Sequence, residues 1–279
     1  MKSLLAFLLF AASAASAQPL NVLTFNIRLN TSSDGENAWP FRKDKAASQI
    51  LFHQVHLLGV QEALHDQMVD LQQRLPSFKY AGVGRDDGKT AGEYSAVFYD
   101  TTRLIALQSA TFWLSLTPEV PGSKSWDAAI TRIVTWVHFR DRKTKKDFYA
   151  FNTHFDHMGK VARAESARLL LKKVKDIAGK KPVIVMGDFN AEPEAEPIQI
   201  LVDPANPDKL INSIGLSKTP HYGPTGTFNG FKNAELSDQP IDHIFLKNGG
   251  KVWQHATLSQ TWKGRFSSDH FPVLATIEF

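Results

Sequence analysis

The sequence predicts an α/β sandwich in which two stacked β-sheets are covered by helices. Apolar runs of strand-like composition recur along the whole chain, and helix-like segments with one apolar face lie between several of them. The chain has 279 residues, of which 43% are hydrophobic and 22% are charged, so it can bury a large core. No repeat or linker divides the chain, and we therefore expect one folded domain.

The first half of the chain predicts strands and helices in alternation. Residues 20–27 predict a strand, and residues 42–52 follow with helical spacing of their apolar side chains. Residues 57–62 predict a second buried strand that ends on an acid. A helix is expected at residues 68–75 and a strand at residues 95–99.

The second half begins with a predicted β-hairpin. Residues 133–139 and 147–153 are its strands, and the basic run at residues 140–146 is interpreted as its solvated turn. Residues 161–177 predict an amphipathic helix. Further strands are expected near Val183, at residues 241–246, near Thr257 and at residues 273–277.

The N-terminal segment, residues 1–17, has the features of a signal peptide. Lys2 precedes an apolar run at residues 4–10, and small residues up to Ala17 provide a cleavage site. The run is too short to span a bilayer, and the chain has no cysteine for a lipid anchor or a disulfide. We expect cleavage after Ala17, a mature domain at residues 18–279, and a periplasmic or secreted location.

Charge excludes some function classes. The formal net charge is only +4, and apart from residues 140–146 the basic residues are scattered. This pattern differs from the concentrated basic stripe of a dedicated nucleic-acid binder. Acidic side chains at Asp86, Asp87 and Glu93 would also repel a polyanion. We expect no membrane insertion, and no protein partner is evident.

Polar side chains close or follow the apolar runs. Any one of them could be a cap or a buried polar group, and Asp188-Phe189-Asn190 alone is also compatible with an Asx turn. Burying the whole set without a ligand would be costly, whereas a divalent cation and a phosphoryl group would fit it. The set is Asn26, Glu62, His154, Asp188, Asn190, Asp242, Asp269 and His270.

The ordered motifs resemble the endonuclease/exonuclease/phosphatase superfamily. They are Thr24-Phe25-Asn26, Gln61-Glu62, Asn152-Thr153-His154, Gly187-Asp188-Phe189-Asn190, Ile241-Asp242-His243 and Ser268-Asp269-His270. The motifs extend over nearly all of residues 18–279 in the order of that family. The resemblance implies the deoxyribonuclease I-like fold, a four-layered α/β sandwich with two stacked mixed β-sheets flanked by helices. It also implies a phosphoesterase that depends on Mg²⁺ or Mn²⁺.

The resemblance further implies roles for these residues by position. Asn26, Glu62 and Asp269 would hold the metal ion that neutralises the phosphate. Asp188 would orient or deprotonate the attacking water, and Asn190 would position that water and the phosphate oxygens.

The resemblance also implies roles for two histidines, and two arginines could contact the phosphate or the substrate. His270, held in one tautomer by Asp242, would stabilise the charged transition state, and His154 would be the second imidazole at the phosphate. Arg132 is interpreted either as a bidentate phosphate clamp or as a surface ion pair. Some abasic-site nucleases of the family carry an acid where this chain has Arg28, which could instead place positive charge beside an anionic substrate.

The substrate is the least determined property. Segments around Trp39, Trp113 and Trp126 resemble a secreted bacterial subgroup, some of whose relatives act on phosphorylated sugars. These rings could form an apolar platform for a sugar, stack a base, or pack under long loops. We expect a small phosphorylated, sugar-like monoester as substrate. The alternatives are a nuclease acting on DNA or RNA, and a non-catalytic binding module with the same fold.

Overall fold

The computed structural model of the protein describes residues 18–232 and 238–279. The predicted signal peptide, residues 1–17, lies outside the described residues. In the part of the chain that is described, none of the helices has the length and apolar character needed to cross a membrane.

Twelve strands are present in the described residues, and they form two six-stranded sheets. In spatial order, the first sheet contains β11 (Lys251–Thr257), β12 (Val273–Glu278), β1 (Leu20–Asn26), β2 (Leu57–Ala63), β4 (Tyr94–Asp100) and β3 (Phe78–Ala81). The second contains β5 (Leu104–Trp113), β6 (Ile133–Asp141), β7 (Asp147–His154), β8 (Val183–Asp188), β10 (Asp242–Lys247) and β9 (Ile211–Asn212). Both sheets mix parallel and antiparallel pairs.

Helices cover the outer face of each sheet. The helices α1 (Lys43–Phe52) and α2 (His65–Arg74) share one apolar cluster with the first sheet. The helices α3 (Lys160–Ala178) and α4 (Glu196–Val202) share a second cluster with the other sheet. A third cluster, which contains Val22 and Ile184, fills the space between the sheets. The predicted four-layered sandwich is therefore confirmed.

Strand pairing brings the functional motifs to one edge. Strands β1 and β2 are parallel, and so are β7 and β8, so their carboxyl ends emerge on the same side. His154 lies opposite Asp188 in the β7–β8 register. Strand β10 runs antiparallel to β8, so Asp242 at its start also lies opposite Asp188. We call this side, with Asn26, Glu62, His154, Asp188, Asp242, Asp269 and His270, the polar edge.

A buried amide pair connects the two sheets beneath the polar edge. Gln61 Nε2 donates to Asn152 Oδ1 at 2.6 Å and to Thr24 Oγ1 at 3.0 Å. Asn152 Nδ2 donates to the carbonyl oxygens of Val60 and Ala96, both at 2.8 Å. Both amides have 0% exposure. Because such groups must be hydrogen-bonded when buried, the pair stabilises one alignment of the sheets.

The predicted elements agree with the structure to within a few residues. The hairpin is β6 and β7, and the predicted helix at residues 161–177 is α3. Sequence patterning missed β3, β5, β9 and α4. Strand β5 lies at a sheet edge, and its central residues are exposed, so its sequence lacks a regular apolar alternation.

Candidate active site

Asp188 lies at the centre of the polar edge. It ends β8 after Gly187, where a Cβ atom would lie 2.1 Å from the carbonyl oxygen of Thr153. Glycine therefore lets β8 approach β7 closely at this point. The backbone N–H of Asn190 donates to Asp188 Oδ1 at 2.9 Å, so the alternative Asx turn is present as well. That turn leaves Oδ2 to face the site.

Three side chains converge on Asp188 Oδ2. Asn26 Nδ2 donates to it at 3.0 Å, His154 Nε2 lies at 3.4 Å, and His270 Nε2 lies at 3.8 Å. His270 Nδ1 is 2.8 Å from Asp242 Oδ2, which orients the imidazole as predicted. Asp188, Asp242 and His270 each bring a ligand atom within 4.8 Å of the others, so this trio could also hold a metal ion.

Burial and neighbouring charges shift the proton affinities of this trio. Burial, reinforced by the negative charge of Asp242, raises the pKa of Asp188 to about 7. For His270, burial opposes the charged form, but Asp242 and Asp188 outweigh it and raise the pKa well above the ordinary value. A carboxylate that titrates near neutrality thus lies beside an imidazole that stays protonated, which is suitable for proton transfer.

Glu62 and Asp269 form the second acidic group of the site. Arg28 lies 3.8 Å from each carboxylate. Asn26 Nδ2 donates to Glu62 Oε1 at 3.0 Å, and Asn26 Oδ1 accepts the N–H of Arg28 at 3.0 Å. In this arrangement the amide nitrogen of Asn26 faces the carboxylates. Its predicted ligation through oxygen stays a prediction that requires the amide to turn over.

Arg28 is committed to carboxylates within the chain. Its Nε and Nη2 donate to the two oxygens of Asp34, each at 3.1 Å. The hydrogen bond to Asp34, opposed by burial, raises the pKa of Arg28. Its role beside an anionic substrate remains a prediction.

Arg28, Glu62 and Asn190 all have left-handed backbone conformations, with φ of 57°, 63° and 46°, and such strain is typical of functional sites.

His154 lies beside Asp188 and has one ring nitrogen without a hydrogen-bond partner in the described residues. Asn190 Nδ2 lies 3.0 Å from both the carbonyl oxygen of Phe155 and His154 Nε2, so the ring nitrogen accepts and the proton is assigned to Nδ1. Burial, together with the positive charges of Arg132 and His270, lowers the pKa of His154 well below its ordinary value, so the ring is neutral. His154 Nδ1 is buried, and within the described ranges it has no hydrogen-bond partner.

Arg132 is buried at the same edge, with only 5% exposure. Its Nη2 lies 3.1 Å from His157 Nδ1, and its Nε lies 3.7 Å from Asp156 Oδ2. Within residues 18–232 and 238–279, neither Nε nor Nη1 has a hydrogen-bond partner. The interpretation of Arg132 as a surface ion pair is wrong in its placement, because the side chain and its contact with Asp156 are buried, and its role as a phosphate clamp remains a prediction.

Two of the three predicted tryptophans do not form a platform. Trp39 has 1% exposure, and its Nε1 donates to Asp70 Oδ2 at 3.0 Å. Trp113 has 5% exposure, and its Nε1 donates to the carbonyl oxygen of Arg85 at 2.7 Å. Their predicted substrate contact is wrong because both rings pack inside the protein. Trp126 is half-buried with φ of 56°, and its contact with substrate remains a prediction.

Sequence reasoning missed several residues that shape the site. Arg42, with 1% exposure, donates to the carbonyl oxygens of Ile27 at 2.7 Å and Ser267 at 2.8 Å. It thus connects the loop after β1 with the segment that carries Asp269. Thr227 Oγ1 accepts the N–H groups of Ile241 and Asp242 and fixes the start of β10. No periodic pattern in the sequence predicts these residues, because their contacts are with chain segments far away in sequence.

Fold and site together define a class of α/β sandwich enzymes with buried acids and imidazoles at one edge of both sheets. Residues 23–270 match the Endonuclease/Exonuclease/phosphatase family, and the chain belongs to that family. Its members are hydrolases that act on phosphate esters. The predicted superfamily and enzyme class are confirmed.

Solved structures agree with this assignment. The chain is 38% identical to an endonuclease/exonuclease/phosphatase from Bacteroides vulgatus, with a TM-score of 0.88 over 94% of this chain and 99% of that one. It is 36% identical to a mannosyl-6-phosphatase from Bacteroides thetaiotaomicron, with a TM-score of 0.88 over 93% of this chain and 100% of that one. Nocturnin of Drosophila melanogaster is 29% identical over 173 residues, which cover 57% of this chain. The chain spans about half the length, or less, of the curated relatives it matches.

Proposed function

We propose that the protein is a divalent-metal-dependent phosphoesterase that releases phosphate from a small, sugar-like phosphomonoester. The observation that carries the proposal is the buried Asp188–His270–Asp242 chain directly beside the unpartnered donors of His154 and Arg132. A proton-transfer group next to free N–H donors suits the transfer of an anionic phosphoryl group. The similarity to a mannosyl-6-phosphatase supports a sugar phosphate as substrate.

The acidic residues fit a hard divalent cation. Burial, opposed in part by His270, raises the pKa of Asp269, and Glu62 adds to this effect. Two neighbouring carboxylates are stabilised by a cation with a preference for oxygen ligands. Glu62 and Asp269 would therefore hold Mg²⁺ or Mn²⁺, with Asn26 as a third ligand after its amide turns over. A bound divalent ion would supply charge neutralisation at the phosphate and the departing oxygen.

The chain's own residues would then move the proton. Asp188 accepts a proton from the water that attacks phosphorus, while the bond from phosphorus to the alcohol oxygen breaks. The departing alkoxide takes up a proton from solvent and leaves as the alcohol, and Asp188 later releases its proton to solvent. Protonated His270 donates a hydrogen bond to the charge that develops on the phosphoryl oxygens. Asp242 keeps His270 charged and oriented through the 2.8 Å contact at Nδ1. These roles require Asp188 and Asp242 to have different environments, and the contacts of the two carboxylates do differ.

The remaining donors would orient the phosphate. His154 Nδ1 and the Nε and Nη1 groups of Arg132 are buried donors without hydrogen-bond partners in the described chain. An arginine can bind two phosphate oxygens at once, which fixes the direction of attack. Asn190, held by the carbonyl oxygen of Phe155, keeps His154 in the tautomer that donates from Nδ1.

The experiment that tests this function is a substrate panel with Mg²⁺ or Mn²⁺. Phosphate release from sugar phosphates is measured beside nicking of plasmid and single-stranded nucleic acid. EDTA and Glu62→Gln serve as blanks, and Glu165→Gln on the exposed face of α3 is the matched control. We expect metal-dependent phosphate release by the wild type and the control, with loss of at least about 100-fold in Glu62→Gln.

Other outcomes would change the assignment. Nicking without phosphate release would replace the monoesterase by a nuclease that uses the same residues. Binding of sugar phosphates without any turnover would favour a non-catalytic binding module. Normal turnover by Glu62→Gln would show that the metal ligands are assigned wrongly.

We also propose that the enzyme is exported, because residues 1–17 have the pattern of a signal peptide. N-terminal sequencing of the protein purified from its producing cells tests this proposal. A mature chain that starts at Gln18 is expected. Retention of residues 1–17 in a cytoplasmic fraction would contradict it.

A further inference from the structure

A second arginine lies near Arg132, on a loop that the mechanism above does not use. Arg85 Nη1 donates to Glu93 Oε2 at 2.6 Å, and the side chain is only 13% exposed. Its backbone is held on both sides, because Arg85 N donates to the carbonyl oxygen of Glu93 and its own carbonyl oxygen accepts Trp113 Nε1. The guanidinium is therefore fixed before any substrate binds.

The loop around Arg85 is itself tightly packed. Gly92 has φ of 80°, and a Cβ atom there would lie 2.5 Å from the carboxylate of Asp86. Asp86 N donates to the carbonyl oxygen of Ala91 at 3.1 Å, which closes the turn. A loop with these constraints can hold a charged side chain in one place, as a binding site requires.

Arg85 has the same unusual feature as Arg132 and His154. Its Nε is buried and has no hydrogen-bond partner in the described residues, although Asp86 Oδ1 lies 3.7 Å away. The four unpartnered donors are Arg85 Nε, Arg132 Nε, Arg132 Nη1 and His154 Nδ1. Buried N–H groups are costly to leave unpaired, and three of these four are on charged side chains, so together they indicate an anionic ligand with several oxygens.

The positive charge around Arg85 and Arg132 also favours an anionic ligand. Leu114 N donates to the carbonyl oxygen of Arg132 and the adjacent Trp113 Nε1 donates to that of Arg85, so the two arginines contact neighbouring residues. The positive charges of both disfavour the protonated form of His154. Glu93 is the counterion of Arg85, whereas the carboxylate of Asp156 already accepts N–H groups from Ala129 and Gly159. Two neighbouring guanidiniums that keep unpartnered N–H groups beside these carboxylates can still stabilise further negative charge.

We infer that Arg85 is a specificity residue that joins Arg132 in binding the terminal oxygens of a dianionic phosphomonoester and so favours monoesters over diesters. This inference rests on the proposed function. A monoester offers three terminal oxygens and two negative charges near neutral pH, whereas a diester offers two such oxygens and one charge. A second guanidinium therefore gains most from the monoester, because charge and acceptor number both increase.

The test compares two esters with the same leaving group. With saturating Mg²⁺ or Mn²⁺, kcat/KM is measured for p-nitrophenyl phosphate and bis(p-nitrophenyl) phosphate. We expect Arg85→Ala to lower the monoester value by about 30-fold and the diester value by less than about threefold. Arg140→Ala is the matched control, since it removes an exposed arginine at the other end of the hairpin. It should leave both values within about twofold of wild type.

Two further measurements distinguish binding from misfolding. Arg85→Lys keeps the positive charge and most of the side-chain length, so its monoester activity should lie between that of Arg85→Ala and that of the wild type. Arg85→Ala should also weaken the binding of inorganic phosphate, measured by calorimetry, by at least about tenfold. Equal losses for both esters, or unchanged phosphate affinity, would overturn the role of Arg85 while the phosphoesterase assignment stands. A wild type that hydrolyses neither ester and also releases no phosphate from the sugar phosphates of the panel above would overturn the proposed function and this inference together.

Discussion

Two buried arginines lie at opposite ends of strand β6 and differ in what their guanidinium groups contact. Arg103 packs beside Asp141, where β6 ends, and Arg132 directly precedes the start of β6. Arg103 Nε and Nη2 donate to the two oxygens of Asp141 at 2.9 and 2.8 Å, and Nη2 also donates to the carbonyl oxygen of Gln18. Arg132 is as deeply buried, yet two of its nitrogens have no hydrogen-bond partner in the described residues.

The difference separates structural charge from functional charge. At the hairpin end, which comprises Arg103 and Asp141, each charge is satisfied within the chain and stabilises the fold. At the polar edge, donors and carboxylates remain incompletely paired, so they are available to substrate and metal. Substitutions at the hairpin end should therefore change stability, and substitutions at the polar edge should change activity.

The largest expected effect is that of Asp188→Asn. Because Asp188 is the proposed base, kcat for phosphate release should fall by at least about 10³-fold. The free energy of unfolding should stay equal or rise, since the substitution removes a buried carboxylate with a raised pKa. Steady-state kinetics and urea unfolding check both statements. Asp141→Asn is the control, and a loss below about tenfold in Asp188→Asn would contradict its assigned role.

The second prediction compares the two arginines directly. Arg103→Ala leaves Asp141 buried without its partner and should lower the free energy of unfolding by about 3 kcal/mol. Arg132→Ala removes unpartnered donors and should cost less than about 1 kcal/mol. Chemical denaturation measures both changes. Similar destabilisation by the two substitutions would show that Arg132 also has a mainly structural role.

The sequence predicted the polar edge well because its residues end regular apolar runs. Asn26 and Asp188 could be found in this way, Asp242 directly precedes such a run, and strand pairing then brings Asp188 and Asp242 together. Burial of loop aromatics could not be predicted, since Trp39 and Trp113 are covered by segments far away in sequence. The same limit applies to Arg85 and Arg132. Whether a buried guanidinium is paired depends on every neighbour in three dimensions, which no local pattern encodes.

The third prediction concerns the pH dependence of activity. As a base, Asp188 must be deprotonated, so kcat/KM should fall about tenfold per pH unit below about 7. Burial and the charge of Asp242 raise that pKa, so Asp242→Asn should move the acid limb to lower pH. The pKa of His270 should also fall, because Asp242 supports its protonated form. pH–rate profiles of both proteins provide the test, and an unmoved acid limb would contradict the electrostatic account.

The smallest expected effect lies at the hairpin end and concerns stability alone. Burial, with a contribution from Arg103, lowers the pKa of His56 to about 4. The unfolded chain therefore binds more protons below pH 6.5, and stability falls with decreasing pH. Between pH 7.5 and 6.0 the wild type should lose about 0.5 kcal/mol more than His56→Gln, allowing for partial exposure of the ring. Identical pH slopes of the two proteins in thermal unfolding would contradict this effect of His56 on stability. An altered kcat/KM for His56→Gln would contradict the claim that the hairpin end affects stability alone.

The most direct test of this separation is the affinity of the folded protein for inorganic phosphate, measured by calorimetry with Mg²⁺ present. Wild type and Arg103→Ala are expected to bind one phosphate with equal affinity at a temperature where both are folded. Arg132→Ala should bind it at least about tenfold more weakly, because phosphate loses a bidentate partner. Equal affinity in Arg132→Ala and wild type would contradict the claim that the unpaired donors of the polar edge are the phosphate site.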